Sequence, residues 1–506
     1  MLFIGHVHAQ QTNYSGKFRD VIITGSVTDS LIKTRPDGKT TVIVRVSKYP
    51  FSYAGIPAAK NDTYEVVVKY KEAFHIRVPA PAGRFYMSID YYPSRNEVLQ
   101  WSGIDNIYIL DQGDRIKADL GRAYFSFSGK GAAKLNCESE LYNASYRGWS
   151  IDPKTSEELV LLSDQGKFSE RYALMERGKD SCLLVQKAIL EKYKKRLGKK
   201  LSDIMLANCY GIRYYWTLRG ARQISDSDPA CYRVVINSPD YKKIDLSLNE
   251  KMDPDILANA PIYVDFLFEK IRMDNSLEAD GTRQMALYHR KQFNEIKLNY
   301  RGIIRDKLLA LFFITNSKSD NSIDSLNAAL NLCGPTIYRE ILINVKETQS
   351  KGEPFYPFEL PDTKGNRVRL ADLGKKVVVL DFWYTGCVHC INLHHNMAPI
   401  YDKYKDNPDV AFVSVSIDKD KKQWIKSVLS NKYTDANDIN LFTDGQGGKH
   451  PLMTKYSISS FPTVFILKDG KMFSSGPPRP NSKSLNEGTT LDYVNLIEAA
   501  IADKSL

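Results

Sequence analysis

The sequence holds no run of about eighteen apolar residues, the length a helix needs to cross a bilayer. No helix is therefore expected to span a membrane. There is no repeat of fixed period, and no long block of one charge. The formal net charge is +11 over 506 residues, yet residues 352–506 carry 19 Lys/Arg against 18 Asp/Glu, so the excess lies in the first 351. Even there the basic residues are scattered. The densest run, "EKYKKRLGKK" (191–200), reads as a solvated helix face. That pattern argues against a nucleic-acid partner and leaves association with an acidic membrane surface open. Cysteine is scarce: seven residues, of which only Cys387 and Cys390 are close in sequence. The other five, Cys137, Cys182, Cys209, Cys231 and Cys333, are odd in number and cannot all pair within the chain. They are expected to be buried apolar side chains.

The length suggests about three domains at roughly 150 residues each. The N-terminus, "MLFIGHVHAQQ", has a short apolar segment followed by a small-residue site. Residues 1–11 read as the tail of a secretory signal, with the mature chain starting near Gln10 or Gln11 in an oxidising compartment. Residues 18–130 read as a β-sandwich. "DVIITGSV", "TVIVRVS", "TYEVVVKY", "AFHIRVPA", "GRFYMSIDYY" and "NIYILDQGDRIKADL" are rich in β-branched and aromatic residues, and "RPDGK", "PAPAG" and "DQGD" punctuate them. From 131 to 350 the period becomes helical, with Leu183, Leu184, Ala188 and Leu190 as one apolar stripe. Tyr210, Tyr214, Tyr215 and Trp216 fit core packing better than a ligand box. A new unit opens at 351 with "KGEPFYPFELPD".

"KKVVVLDFW" is by composition a buried strand, "TG" a turn, and "CVHCINLHHNMAPIYDKY" has helical spacing through Ile391, Met397 and Ile400. Cys387 is thereby placed where a helix begins. Free N–H groups and the macrodipole favour an anion there, and the thiolate is the reactive form of cysteine. Such sites lower a cysteine pKa from about 8.5 to roughly 3.5–7.5. Cys390 lies one turn further on, within reach to close a disulfide.

"VLDFWYTGCVHC" resembles the active site of the thioredoxin fold, and the downstream elements come in the matching order. "DVAFVSVSID" is a second buried strand, "DKKQWIKSVLSN" a helix, and "YSISSFPTVFILKDGKM" resembles the Tyr-x-Ile-x-x-x-Pro-Thr stretch and its hairpin. The "PPRPNSKSL" tail is similar to that of TlpA-like thiol–disulfide oxidoreductases. "IYILDQGDRIKADL" resembles the last strands of the β-domain at the front of envelope thioredoxin-like proteins of Bacteroidetes. The resemblance implies a multidomain α+β chain ending in a thioredoxin fold over 351–506, located in the periplasm or cell envelope. It implies exchange with protein thiol or disulfide clients and an upstream redox donor or acceptor, without a cofactor. By the same resemblance Cys387 is the nucleophile and Cys390 the resolving thiol. Asp381, six residues before Cys387, is a buried acid whose raised pKa suits a base for the Cys390 proton. Pro462 is the cis-proline facing the disulfide, and Trp383 packs beside the site. Two positions depart from the pattern. Gly386 replaces the usual Trp, which should leave the sulfur more exposed. His389 replaces the usual Pro, and an imidazolium there would stabilise the thiolate and raise the reduction potential. Asp381 resembles reductants and points the other way.

The rival readings are weaker. Zinc would need Cys387, Cys390, His394 and His395 inside one helix, which crowds a tetrahedral metal. The two histidines are expected at the surface. Haem attachment needs His where Ile391 stands, and a peroxidase needs Thr where Tyr384 stands. A reading of another class remains: an envelope scaffold in which the thioredoxin fold is a module without turnover.

Overall fold

The computed structural model describes residues 19–51, 62–80, 84–92, 107–122, 125–149, 153–177, 179–227, 229–276, 285–316, 325–373, 377–435, 438–481 and 484–504; the signal-like segment 1–11 lies outside them. By packing, the chain divides into one unit formed essentially by residues up to 308 and a second formed by 309–506.

The first unit begins with eight strands: β1 (Val21–Val27), β2 (Lys39–Ser47), β3 (Asp62–Lys69), β4 (Ala73–Val78), β5 (Arg84–Tyr91), β6 (Tyr108–Asp111), β7 (Arg115–Leu120) and β8 (Phe125–Lys130). They form two four-stranded sheets, ordered β4-β1-β7-β8 and β3-β2-β5-β6. Strict alternation along β1, β4 and β7 buries every second side chain. Ile23, Ile76 and Ile116 from one sheet join Val44, Ile89 and Leu110 from the other in one core, which makes the pair a sandwich. The turn in "DQGD" separates β6 from β7 and sends them to different sheets, with Gly113 at φ +75°. β8, in "FSFSGK", has too few β-formers to be read from sequence.

Helices occupy the chain from Ala132 onward, including Ala132–Trp149, Lys179–Leu197, Lys199–Ser227 and Pro261–Asp274. The expected stripe on Lys179–Leu197 is corrected. Leu184 and Ala188 are exposed, and the buried face is Cys182, Gln186, Leu190 and Tyr193. Hydrogen bonding decides the rotation: the Gln186 amide donates to Ser145 Oγ at 2.7 Å and to the Leu141 carbonyl, drawing that face against helix 132–149. "EKYKKRLGKK" is solvated apart from Tyr193 and the half-buried Leu197. Of the aromatic group, Tyr215 is buried in the core, while Tyr210, Tyr214 and Trp216 are half-buried, Tyr214 packing on Phe266 and Trp216 edge-on to Tyr215. Cys137, Cys182, Cys209 and Cys333 are buried thiols; the Cys231 side chain lies outside the described set.

In the second unit, β9 (Glu359–Pro361) and β10 (Arg367–Arg369) form a hairpin. A five-stranded mixed sheet then assembles from β11 (Val377–Trp383), β12 (Val410–Ser416), β13 (Ile439–Phe442), β14 (Thr463–Lys468) and β15 (Lys471–Ser474), ordered β13-β12-β11-β14-β15. β11, β12 and β13 run parallel; β14 and β15 are antiparallel additions. Being central, β11 is apolar on both faces, as buried strands must be. Val378, Leu380 and Phe382 enter one core, while Val377 and Val379 pack with Ile400 and Tyr404 of the cysteine helix (Val388–Tyr404) and Tyr493 of the last helix (Gly488–Ala502). This is the thioredoxin fold, and it sets the end of β11 against the start of the cysteine helix.

Candidate functional site

Cys387 is the N-cap of the cysteine helix, in extended conformation, and its Sγ accepts the Cys390 N–H at 3.1 Å. The pattern of extended strand, two-residue turn and helix therefore puts the first sulfur where helix N–H groups converge. Cys387 and Cys390 form a disulfide, their Cα atoms 5.2 Å apart.

The turn is held from beneath. The Thr385 N–H and hydroxyl both donate to the Asp418 carboxylate, at 3.0 and 2.7 Å, and the hydroxyl also meets Ser427 at 2.8 Å. Ser416 donates to the same carboxylate. The Gly386 N–H donates to the Tyr433 hydroxyl at 2.9 Å, while the Tyr433 ring stacks on Trp383 with centroids 4.9 Å apart. Trp383, fully buried, donates its indole N–H to Ser414. Sequence reasoning passes over Asp418, Ser427 and Tyr433. Asp418 closes a strand that ends in an acid, which is the available signal; nothing marks Tyr433.

The expectation of an open sulfur is corrected. Gly386 is exposed with empty space beside it, but Cys387 is only 4% exposed. The disulfide belongs to an apolar cluster with Trp383, Trp424, Val428, Tyr433 and Phe442, against which Phe461 packs. Losing an aromatic before the cysteine does not bare the sulfur, because the cover comes from elements distant in sequence. The exposed apolar surface at this end is Val388, 64% exposed, and Tyr384, edge-on to Phe461.

His389 is exposed and has no hydrogen bond or ion pair among the described residues. The Phe461–Pro462 bond is cis, and Arg479 donates to the Pro462 carbonyl at 3.2 Å. Asp381 lies on β11 opposite Ser414 of β12 and Val464 of β14. A cavity reaches its half-buried side chain, and its Oδ1 is buried without a hydrogen-bond partner. Burial pushes its pKa up to about 7; the Phe382 N–H opposes this and the Asp438 charge adds to it. Of the two histidines expected at the surface, His395 is exposed but His394 is half-buried and lines the same cavity. Burial holds His394 below the ordinary imidazole range. No group of three His, Cys, Asp or Glu side chains is arranged for a metal among the described residues, and no described helix is long and apolar enough to cross a membrane.

Residues 374–472 match the family model described as thioredoxin-like. The chain is 30% identical over 170 residues to the thiol–disulfide oxidoreductase ResA of Bacillus subtilis, covering 33% of this chain and 85% of that protein. It is 31% identical over 150 residues to ResA of Bacillus cereus, covering 28% and 80%. Among solved structures, the thioredoxin domain of a thiol–disulfide oxidoreductase from Bacteroides vulgatus aligns with 23% identity, over 29% of this chain and 96% of that one, at a TM-score of 0.25.

Proposed function

The chain belongs to the thioredoxin-like thiol–disulfide oxidoreductases that include ResA, and from that premise we propose that it exchanges disulfides with protein clients through the Cys-Val-His-Cys centre. The observation that carries this is Cys387 as helix N-cap, its sulfur accepting an N–H and bonded to a partner one turn away. In client reduction, the Cys387 thiolate attacks one sulfur of a client disulfide. That S–S bond breaks, its electron pair leaves on the second client sulfur, and a mixed disulfide forms. Cys390 then attacks Cys387, its thiol proton passing to the Asp381 carboxylate, and the first client sulfur leaves as a thiolate. The client gains two electrons and the cysteine pair loses two, so an upstream dithiol must reset the centre. The reverse sequence oxidises clients.

Asp381 acts here as the base, Pro462 as backbone for an extended client segment, and His389 as the group that sets thiolate stability from outside. The envelope is the proposed location, supported by the signal-like N-terminus. Insulin-disulfide reduction tests the reading. Cys387→Ala is expected to abolish turnover, and Cys390→Ala to accumulate a mixed disulfide visible by mass. Equal rates for wild type and Cys387→Ala would leave the scaffold reading in its place.

A further inference from the structure

A cavity of about 370 Å³ lies between β11, β12, the cysteine helix, Tyr433–Asp435 and Asp438. Its inner wall includes Asp381 and Ser414, and its rim includes Asp402 and Lys405, both exposed. Along the helix it tracks His394, Met397 and Tyr401, at i+4, i+7 and i+11 from Cys390, so it runs under the face that begins with the resolving cysteine. A second carboxyl group, Asp438, faces the same space. Its Oδ1, like that of Asp381, is sealed without a hydrogen-bond partner, and its Oδ2 is reached by the Thr434 hydroxyl at 3.4 Å. The volume is ample for several waters in line.

We propose that this cavity is the route by which Asp381 exchanges its proton with solvent, and that Asp438 is the intermediate carrier. The inference rests on Asp381 being the base for Cys390. After resolution Asp381, on the central strand and facing the cavity, holds a proton it must lose before the next turnover. Asp438 takes it, the proton leaves past Asp435 and Asp402, and Asp381 is an anion again. No electron moves in this step.

The electrostatics suit a carrier. Burial, then the neighbouring Asp435 charge, push Asp438 up to about 7, against hydrogen bonds from the Asp435 backbone, Thr434 and Tyr401. Asp381 and Asp438 are thus matched near neutrality, and the Asp438 charge raises Asp381. The other groups facing Asp381 are Arg479, which lowers it, and Tyr493 of the last helix, whose buried hydroxyl has no hydrogen-bond partner and stays protonated. On the cysteine helix, His394 is biased neutral.

The test is insulin reduction by the full chain between about pH 5 and 9, in dilute and concentrated imidazole buffer, for wild type, Asp438→Asn, Asp438→Glu and Asp381→Asn. Asp438→Asn is expected to be about tenfold slower at neutral pH in dilute buffer, to recover in concentrated imidazole, and to show its ionisation at lower pH because a like charge has gone. Asp438→Glu is expected to restore the dilute-buffer rate. If Asp438→Asn matches wild type throughout while Asp381→Asn is slow, the carrier is overturned and the base survives. If Asp438→Asn is slow but neither imidazole nor Asp438→Glu restores it, the residue is structural and the proposal fails. If Asp381→Asn itself matches wild type, the base is lost and the exit with it.

Discussion

Gly386 holds φ +98° with empty space where a side chain would stand. A side chain there would find room but would sit on a left-handed backbone that L-residues disfavour. Gly386→Ala should cost about 1 kcal/mol through the left-handed backbone alone, read from the denaturant midpoint of the oxidised protein. His389 is the other departure. Its side chain is exposed, so it can act on the cysteines only through its charge. His389→Ala should shift the couple to a more negative potential at about pH 6, by on the order of 30 mV for 1.4 kcal/mol of lost thiolate stabilisation, measured against glutathione. An unchanged potential would remove His389 from the site. The places of both cysteines, Asp381 and the cis Pro462 in the fold were legible because each sits inside a contiguous motif. The cover over Cys387 was not, since Trp424, Tyr433 and Phe442 reach it from segments with no sequence mark.

At the scale of elements, the turn between β11 and the cysteine helix is fixed by one carboxylate and one phenol. Asp418→Ala strands the Thr385 N–H, leaves the Thr385 hydroxyl with Ser427 alone and removes the acceptor of the buried Ser416 hydroxyl, so it is expected to destabilise by about 2 kcal/mol, as a lost charged acceptor does. Tyr433→Phe keeps the stack on Trp383 and loses a single bond, so about 1 kcal/mol is expected. Chemical denaturation of the two variants should therefore rank them in that order, with insulin turnover falling alongside. The strands of the sandwich and the redox sheet were legible from β-branched runs and turn residues. The face of helix Lys179–Leu197 was not: its apolar residues form a stripe, but Gln186 has partners on the other side, and a buried amide must be satisfied.

Across the whole molecule, buried ionisable groups tie stability to pH. Asp381 and Asp438 hold protons more tightly folded than unfolded, each raised from 3.8 to about 7. Their contribution is full below about pH 4 and is lost as pH rises through about 7. Asp381→Asn should remove part of that slope, making the protein more stable than wild type at about pH 8 by on the order of 2 kcal/mol and no more stable at about pH 4. Urea midpoints at the two pH values check it. A larger gain at the acidic end would reverse the sign and refute the burial of that charge. The three-part order of sandwich, helices and redox fold was legible from the changes in period along the chain. The cavity was not, because Asp438 joins Asp381 only through the folded sheet. The 4% exposure of Cys387 has one more consequence. A sulfur so nearly shut in has a narrow angle of approach, and the apolar rim of Val388 and Tyr384 favours a slender, greasy visitor. If the proposed exchange holds, bulky oxidants should react with the centre more slowly than an extended polypeptide carrying its own cystine.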